Sequence, residues 1–339
     1  MKHETDVVVV GAGPAGLFAV FQCGMVRLKC HVVDALDAVG GQCAALYPEK
    51  PIYDVPAQPS ILAADLIEQL EAQAAPFGPI YHLGRQMTGL DKTDAGWRCT
   101  LSDGTEIMAK VVIVAAGSGA FGPNRPPLDG LQAYEGQGQG VGVNYFVTRR
   151  EDFRGKRVVI AGGGDSAVDW AISLSELAAS VQVVHRRPKF RAAPESEAKL
   201  KALSEAGKIE LVVPYQLHGL GGARGQLHSV VVATLDGQTR TLAADVLLPF
   251  FGLATELGPI AQWGLAMDKN VIGVDPASMQ TSVPGIFAAG DICTYPGKLK
   301  LILSGFAEAA RAAHSAYEAA HPGEALHFEH STSMGAPGK

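Results

Sequence analysis

Apolar residues along the chain fall into short unbroken runs, two of which, at 7–10 and within 157–161, are closed by a glycine cluster and followed by a helix-like segment. Residues 7–10 are four consecutive valines, which predicts a strand buried on both faces. A glycine cluster ends that run, and 15–26 continues as a helix. Residues 30–33 predict the next strand. Over 60–75, Leu62, Leu66, Ile67 and Leu70 recur at helical spacing. The segment 97–107 reads as a hairpin turning at Asp103 and Gly104. The run 110–117, "KVVIVAAG", predicts a buried parallel strand.

The stretch 117–127, "GSGAFGPNRPP", breaks the pattern and reads as a linker by its glycine and proline density. Strand, helix and strand then recur over 157–161, 165–178 and 181–185. A second hairpin is centred on 234–242, and another apolar run covers 245–253. A second break lies at 281–291, a last helix spans about 305–320, and an irregular tail follows. The same order of parts therefore occurs twice. The predicted fold is α/β, with two Rossmann-like dinucleotide-binding domains, the second inserted into the first. Residues 1–117 and 285–339 are expected to form one domain and 118–284 the other. The stretches 117–127 and 281–290 are the expected hinges.

Composition narrows the class. With 47% hydrophobic and 18% charged residues the chain is globular, and 40 glycines in 339 residues fit tight turns and close backbone approach to ligands. A formal charge of −6 without a long basic run argues against nucleic acid as a partner. No charged residue lies between Asp6 and Arg27, a length able to span a bilayer. Gly11, Gly13, Pro14 and Gly16 interrupt it, which fits strand, turn and helix better than a membrane anchor or signal peptide. A cytoplasmic protein with no membrane partner is expected. Cys23, Cys30, Cys43, Cys99 and Cys293 are odd in number and lack C-x-x-C spacing. Free thiols are expected, with no disulfide framework and no metal site.

Two glycine fingerprints carry the candidate chemistry. In "GAGPAG", Gly11 suits a tight turn, Gly13 lets backbone reach a pyrophosphate, and Gly16 lets helix pack on strand. Pro14 and Ala15 open the helix, whose N-terminus faces the phosphates. Asp34 ends the next strand, at the spacing of an acid that binds ribose hydroxyls. The second fingerprint, "GGGDSA", supplies Gly162, Gly164, Asp165, Ser166 and Ala167. Its following strand ends in "VVHRRPKFRA", with His185, Arg186, Arg187 and Arg191 in place of an acid. Arginines favour a 2′-phosphate that an acid would repel, so this site reads as NADP(H). Asp165, Asp169 and Glu308 are acids of these helices and read as caps or solvent-facing residues.

The motifs "GAGPAG", "GGQCAALYP", "VVIVAAG", "GGGDSAVDWA", "HRRPKFRA" and "PGIFAAGD" together resemble the thioredoxin-reductase-like flavoproteins over nearly the whole chain. The resemblance implies FAD at the first fingerprint, with Asp291 of "AAGD" at its ribityl and phosphate region. It also implies a redox cysteine pair just before the second fingerprint. Residues 142–165 contain none. The disulfide of glutathione-reductase-like enzymes is absent too, because Pro48 stands five residues after Cys43. Electrons must then leave the flavin directly. The cysteine-free "GVNYFV" and the tail "HFEHSTSM" are similar to the thioredoxin-reductase-like ferredoxin–NADP⁺ reductases of bacteria. That narrower resemblance implies hydride transfer between NADPH and FAD, then single electrons to ferredoxin or flavodoxin, in a homodimer. It implies Tyr47 on one flavin face and His330 on the other, with the tail reaching the partner subunit. Gln42, Met87, Phe121, Ser331 and Thr332 would line the FAD site. Met87 departs from the expected small aliphatic residue, which implies backbone contact only. The residues alone leave Tyr47 readable as a half-buried tyrosine and His330 as a tail residue. Arg149, Arg150, Arg154, Lys156 and Arg157, or Lys298 and Lys300, are candidate charges for steering an acidic partner. A flavin monooxygenase is the alternative, though its aromatic–glycine–histidine signature is not found. A non-catalytic flavin sensor would not need the arginine-lined NADPH site.

Overall fold

The computed structural model describes residues 1–324 and 326. The chain folds as two compact units. One comprises Met1–Phe121 and the residues from Thr255 onward, and the other is Gly122–Ala254.

The first unit begins with β1 (Lys2–Val10), α1 (Pro14–Met25), β2 (Cys30–Val33), α2 (Gly41–Ala45), α3 (Ala63–Ala74) and β3 (Ile80–His82). An antiparallel ribbon follows, β4 (Met87–Thr93), β5 (Gly96–Leu101) and β6 (Glu106–Val114). The sheet order is β3-β2-β1-β6-β5-β4. β1 pairs in parallel with β2 from Val7↔Cys30 to Val10↔Val33, and with β6 from Lys2↔Glu106 to Val10↔Val114. Val7, Val8 and Val9 are completely buried, as a strand covered on both faces requires. Pro14 sits at the helix start, where a missing N–H costs nothing. Leu66, Ile67 and Leu70 of α3 pack with Leu17 of α1, the face expected from their spacing.

The second unit contains β7 (Arg157–Ala161), α4 (Asp165–Leu174), β8 (Ser180–Val184), α5 (Pro194–Glu205) and β9 (Glu210–Val212). The antiparallel strands β10 (Gln216–Ala223), β11 (Gln226–Ala233) and β12 (Thr239–Ala243) follow, and then β13 (Val246–Pro249). A parallel sheet runs in the order Gly142–Val143, β13, β7, β8, β9. Its core joins Val159 and Leu247 of this sheet to Val230 and Leu242 of the antiparallel strands.

The chain then returns to the first unit. There β14 (Ile286–Ala288) pairs with β6, and the long helix α6 (Ile302–Ala320) lays Ala309, Ala312, Ala313 and Ala316 into the first core. The return comes earlier than the expected boundary at 284/285. Leu257, Ile260, Leu265 and Ile272 are buried in the first core, so 255–284 belongs to that unit. The outward crossing falls at 121/122 instead of 117/118. The expected second hinge, 281–290, contains a fully buried strand of the first unit and is no crossing. The stretches that do cross are Ala120–Pro123 and Leu253–Glu256.

Candidate functional site

A pocket of about 420 Å³ opens in the first unit, within the range of a small-molecule site. Gly11, Gly13, Pro14 and Ala15 form one wall, at the junction of β1 and α1. Asp34 and Gln42 approach from the loops after β2, with Tyr47 beside them. Met87, Phe121 and Asp291 complete the set of expected residues found there. His330, Ser331 and Thr332 lie outside the described residues.

The three glycines have three different reasons to lack a side chain. Gly11 has φ +108°, and a Cβ there would lie 2.4 Å from the Ala115 carbonyl oxygen. Gly16 does not line the pocket. A Cβ on it would lie 1.9 Å from the Gly11 carbonyl oxygen, so it sets how closely α1 packs against the turn. Around Gly13 a Cβ would meet only the Gly41 Cα, at 3.9 Å. Its free space faces the pocket, which leaves bare backbone for a ligand to approach.

Asp34 is held from both sides. Its Oδ2 accepts from the Ala12 N–H at 2.6 Å and its Oδ1 from the Leu36 N–H at 2.8 Å. Burial nevertheless raises its pKa above the ordinary carboxylate value, against those two donors. A carboxylate fixed this way keeps outward lone pairs for hydroxyl donors. Tyr47 is half-buried, and burial pushes its hydroxyl pKa up, so it stays a neutral ring. The Cys43 thiol stands 3.9 Å from that hydroxyl and is pushed up to about 11 by burial, so it stays protonated at neutral pH.

Asp291 sits in a turn pinned from below. Glu308 of α6 is 1% exposed. Its Oε2 accepts from the Gly290 N–H at 2.8 Å, and its Oε1 accepts from the Tyr295 hydroxyl at 2.7 Å and from the Lys298 ammonium. The Lys298 and Glu308 side chains are 5% and 1% exposed, a fully buried ion pair. Glu308 is therefore not solvent-facing, as its place on a helix had led one to expect, and Lys298 is no surface charge for docking.

In the second unit the corresponding junction joins β7 to α4. Gly162 has φ +154°, and a Cβ there would lie 2.8 Å from the Phe250 carbonyl oxygen and 3.0 Å from the Ala167 Cβ. A Cβ on Gly163 would strike the His185 ring at 2.4 Å, whereas Gly164 has nothing within 4 Å. Gly164 thus exposes backbone at the start of α4, next to the exposed Asp165 and Ser166. The Asp165 Oδ1 accepts from the Ala193 N–H at 2.8 Å, and Asp169 accepts from the Ser196 hydroxyl at 3.3 Å. Arg191 donates its N–H to the Gly163 carbonyl at 2.6 Å, which folds the arginine loop back over the glycines. Arg186, Arg187 and Arg191 are exposed and make no ion pair among the described residues. Burial, before the neighbouring arginines, lowers the His185 pKa and keeps its ring neutral.

Residues 5–320 match the profile of the pyridine nucleotide-disulphide oxidoreductases. The chain belongs to that family. A relative named ferredoxin--NADP reductase, from Paramagnetospirillum magneticum, is 72% identical over 99% of both chains. One of the same name from Rhodospirillum rubrum is 63% identical over 99% of this chain and 97% of the relative. Among solved structures, the thioredoxin reductase of T. acidophilum superposes with a TM-score of 0.78 at 26% identity, covering 93% of this chain and 98% of that one. This member of the family has the two-domain fold of those reductases but, with five free and buried cysteines, no disulfide of its own.

The pocket also contains residues that sequence reasoning missed. Arg85 and Gln86 enter from the turn after β3, and Lys300, Leu301 and Ile302 from the entry to α6. The latter three carry a usable signal, since they lead from the "AAGD" turn into the final helix. Arg85 and Gln86 carry none, because only pairing across the sheet brings them in. The four arginines of the basic stretch 149–157 are paired locally, which leaves Lys156 as its one candidate without a salt bridge among the described residues. Arg149 pairs with Asp152, Arg150 with Glu176, Arg154 with Glu151 and Arg157 with Asp245. Among the described residues, no helix is long and apolar enough to cross a membrane and no group of metal-ligating side chains is present.

Proposed function

We propose that this protein is a cytoplasmic, FAD-dependent ferredoxin–NADP⁺ reductase, acting as a homodimer on ferredoxin or flavodoxin. The observation that carries this reading is that the pocket holds no cysteine pair. In a family named for disulphide chemistry, the pocket-lining Cys43 has no cysteine partner and a thiol held protonated. An acceptor outside the chain must take the electrons. Relatives of 72% and 63% identity named ferredoxin--NADP reductase support an iron–sulfur protein in that role.

The first pocket fits FAD. Its bare backbone at Gly13 and the N-terminus of α1 suit a pyrophosphate, and Asp34 suits a ribose. Asp291 would hold the ribityl region and Tyr47 would lie against the ring, both being residues of the pocket wall. Gln42, Met87 and Phe121 line the site; His330, Ser331 and Thr332, which lie outside the described residues, are further candidate FAD contacts on the resemblance alone. When bound, the flavin supplies the exchange between a two-electron hydride donor and one-electron acceptors. The chain orients it and keeps Tyr47 and Cys43 out of the proton chemistry. In the second unit Gly164 and the start of α4 receive the NADPH pyrophosphate, with Arg186, Arg187 and Arg191 on the 2′-phosphate and His185 beside Gly163. Lys300 remains as a candidate steering charge at the pocket wall.

Stopped-flow reduction of the purified holoenzyme by NADPH and by NADH, followed by mixing with ferredoxin or with oxygen, tests this. Fast reduction by NADPH, rapid reoxidation by ferredoxin and slow reoxidation by oxygen are expected. Preference for NADH, or substrate hydroxylation with oxygen, would overturn it.

A further inference from the structure

We infer that the buried Lys298–Glu308 pair is a charge-balanced clamp that positions the Gly290–Asp291 turn and sets the electrostatic environment of the bound flavin. The inference rests on the proposed FAD site and assigns two positioning residues that touch no ligand themselves. Three elements converge behind that wall of the pocket. A Cβ on Gly290 would lie 3.1 Å from the Ala15 Cβ. One on Gly305 would lie 3.4 Å from the same atom and 3.5 Å from the Gly290 Cα. The start of α1, the Gly290 turn and α6 thus leave little room for a side chain at either glycine, and Ala15, Gly290 and Gly305 all line the pocket.

Close contact alone leaves the turn free to slide along the helix. Glu308, one helical turn beyond Gly305, removes that freedom by gripping the Gly290 N–H at 2.8 Å. That N–H belongs to a residue with φ +81°, in a turn too short to satisfy it internally. A buried carboxylate with only this neutral donor would be costly to ionise. Lys298 supplies the counter-charge from the far side, and the Tyr295 hydroxyl supplies a further donor. The Cys293 thiol also faces Glu308 Oε2, at 3.6 Å. The carboxylate is therefore shared between a backbone group of the pocket wall and a cation shielded from water. Loss of either charge leaves the other unbalanced and buried behind the wall, where screening by solvent is weak.

Single-charge substitutions in the holoenzyme separate this from a purely structural role. Glu308→Gln leaves a net positive charge, which favours the more negative reduced flavin and shifts its midpoint potential upward. Lys298→Met leaves a net negative charge and shifts it downward. Both weaken FAD binding about tenfold or more, because one partner is left buried and unpaired. The charge-neutral double variant returns the potential toward that of the unsubstituted protein, and Lys298→Arg preserves it. Potentials are read by spectroelectrochemistry at pH 8 and FAD affinity by fluorescence on release. Unchanged affinity and potential in both single variants, or shifts of the same sign in both, would overturn the inference. Failure of the unsubstituted protein to bind FAD would instead refute the cofactor reading, a distinct result.

Discussion

At the residue scale, the second and third glycines of the first fingerprint give opposite expectations. Gly16→Ala forces a methyl group against the Gly11 carbonyl and should lower stability by about 1–3 kcal/mol in denaturant unfolding. Gly13→Ala meets only open space, so stability should change by less than about 0.5 kcal/mol. FAD affinity should instead fall about tenfold, measured by flavin fluorescence. A stability loss equal to that of Gly16→Ala would show that Gly13 has a packing role. In the second unit, Arg187→Ala should raise the KM for NADPH by about tenfold and leave that for NADH unchanged. Equal loss with both nucleotides would remove the 2′-phosphate from its assigned place. These positions were legible in the sequence because each fingerprint is local, and strand, turn and helix fix its geometry within a few residues. Glu308 was not. An acid on an amphipathic helix reads as solvent-facing, and its partner Lys298 lies outside the helix with no pattern linking them. Only the packing of α6 against the Gly290 turn reveals that the two share a buried site.

At the element scale, β1, β2 and β3 bring His3, His31 and His82 together at one end of the first sheet. Ring centroids lie 5.3 Å from His3 to each of the others and 5.1 Å between His31 and His82. His31 Nδ1 and His82 Nε2 are 3.0 Å apart, and Arg85 donates to His82 Nδ1 at 3.2 Å. His82 must then donate to His31, and the pair is held neutral. Burial, followed by repulsion from His82 and His3, lowers the His31 pKa from 6.5 to about 4. A folded pKa below the unfolded one means that stability is fully present above about 6.5. It is lost as pH falls through 4. Allowing for solvent screening, the loss should be about 1 kcal/mol between these limits, and His31→Gln should flatten that slope in chemical unfolding. An unaltered acid slope would place the titration elsewhere. Sequence periodicity found the strands at 7–10 and 30–33 but neither the third strand nor the cluster, since Ile80–His82 is too short to carry a pattern and its histidine gains meaning only from sheet order.

At the scale of the whole molecule, the repeated order of parts revealed the insertion, but the return point was misplaced. Residues 255–284 contain only short strands and one 3-10 turn, Gly258–Gln262, whose apolar members, Ile260 and Ile272 among them, find partners far away in the chain. Composition marked the glycine- and proline-rich stretches as boundaries, whereas contiguous burial decides them. The second unit, Gly122–Ala254, is one unbroken segment with its own core. Expressed alone, residues 122–254 should fold with a single cooperative thermal transition that NADP⁺ raises more than NAD⁺ does. A fragment without a cooperative transition would show that its stability depends on the first unit.

The insertion also imposes an order of assembly. On the ribosome, β1 to β6 emerge first, then every residue of the second unit, and only afterwards β14 and α6. The nucleotide unit can close while still attached to an unfinished neighbour, since domains fold as units during synthesis. The first unit cannot close then, because its sheet still lacks β14 and its core the alanine face of α6. Asp291 and Glu308 arrive in that last segment. Capture of the flavin is therefore a late event in the life of each new chain, and a ribosome stalled before residue 286 would carry a finished NADPH unit and an open, cofactor-free one.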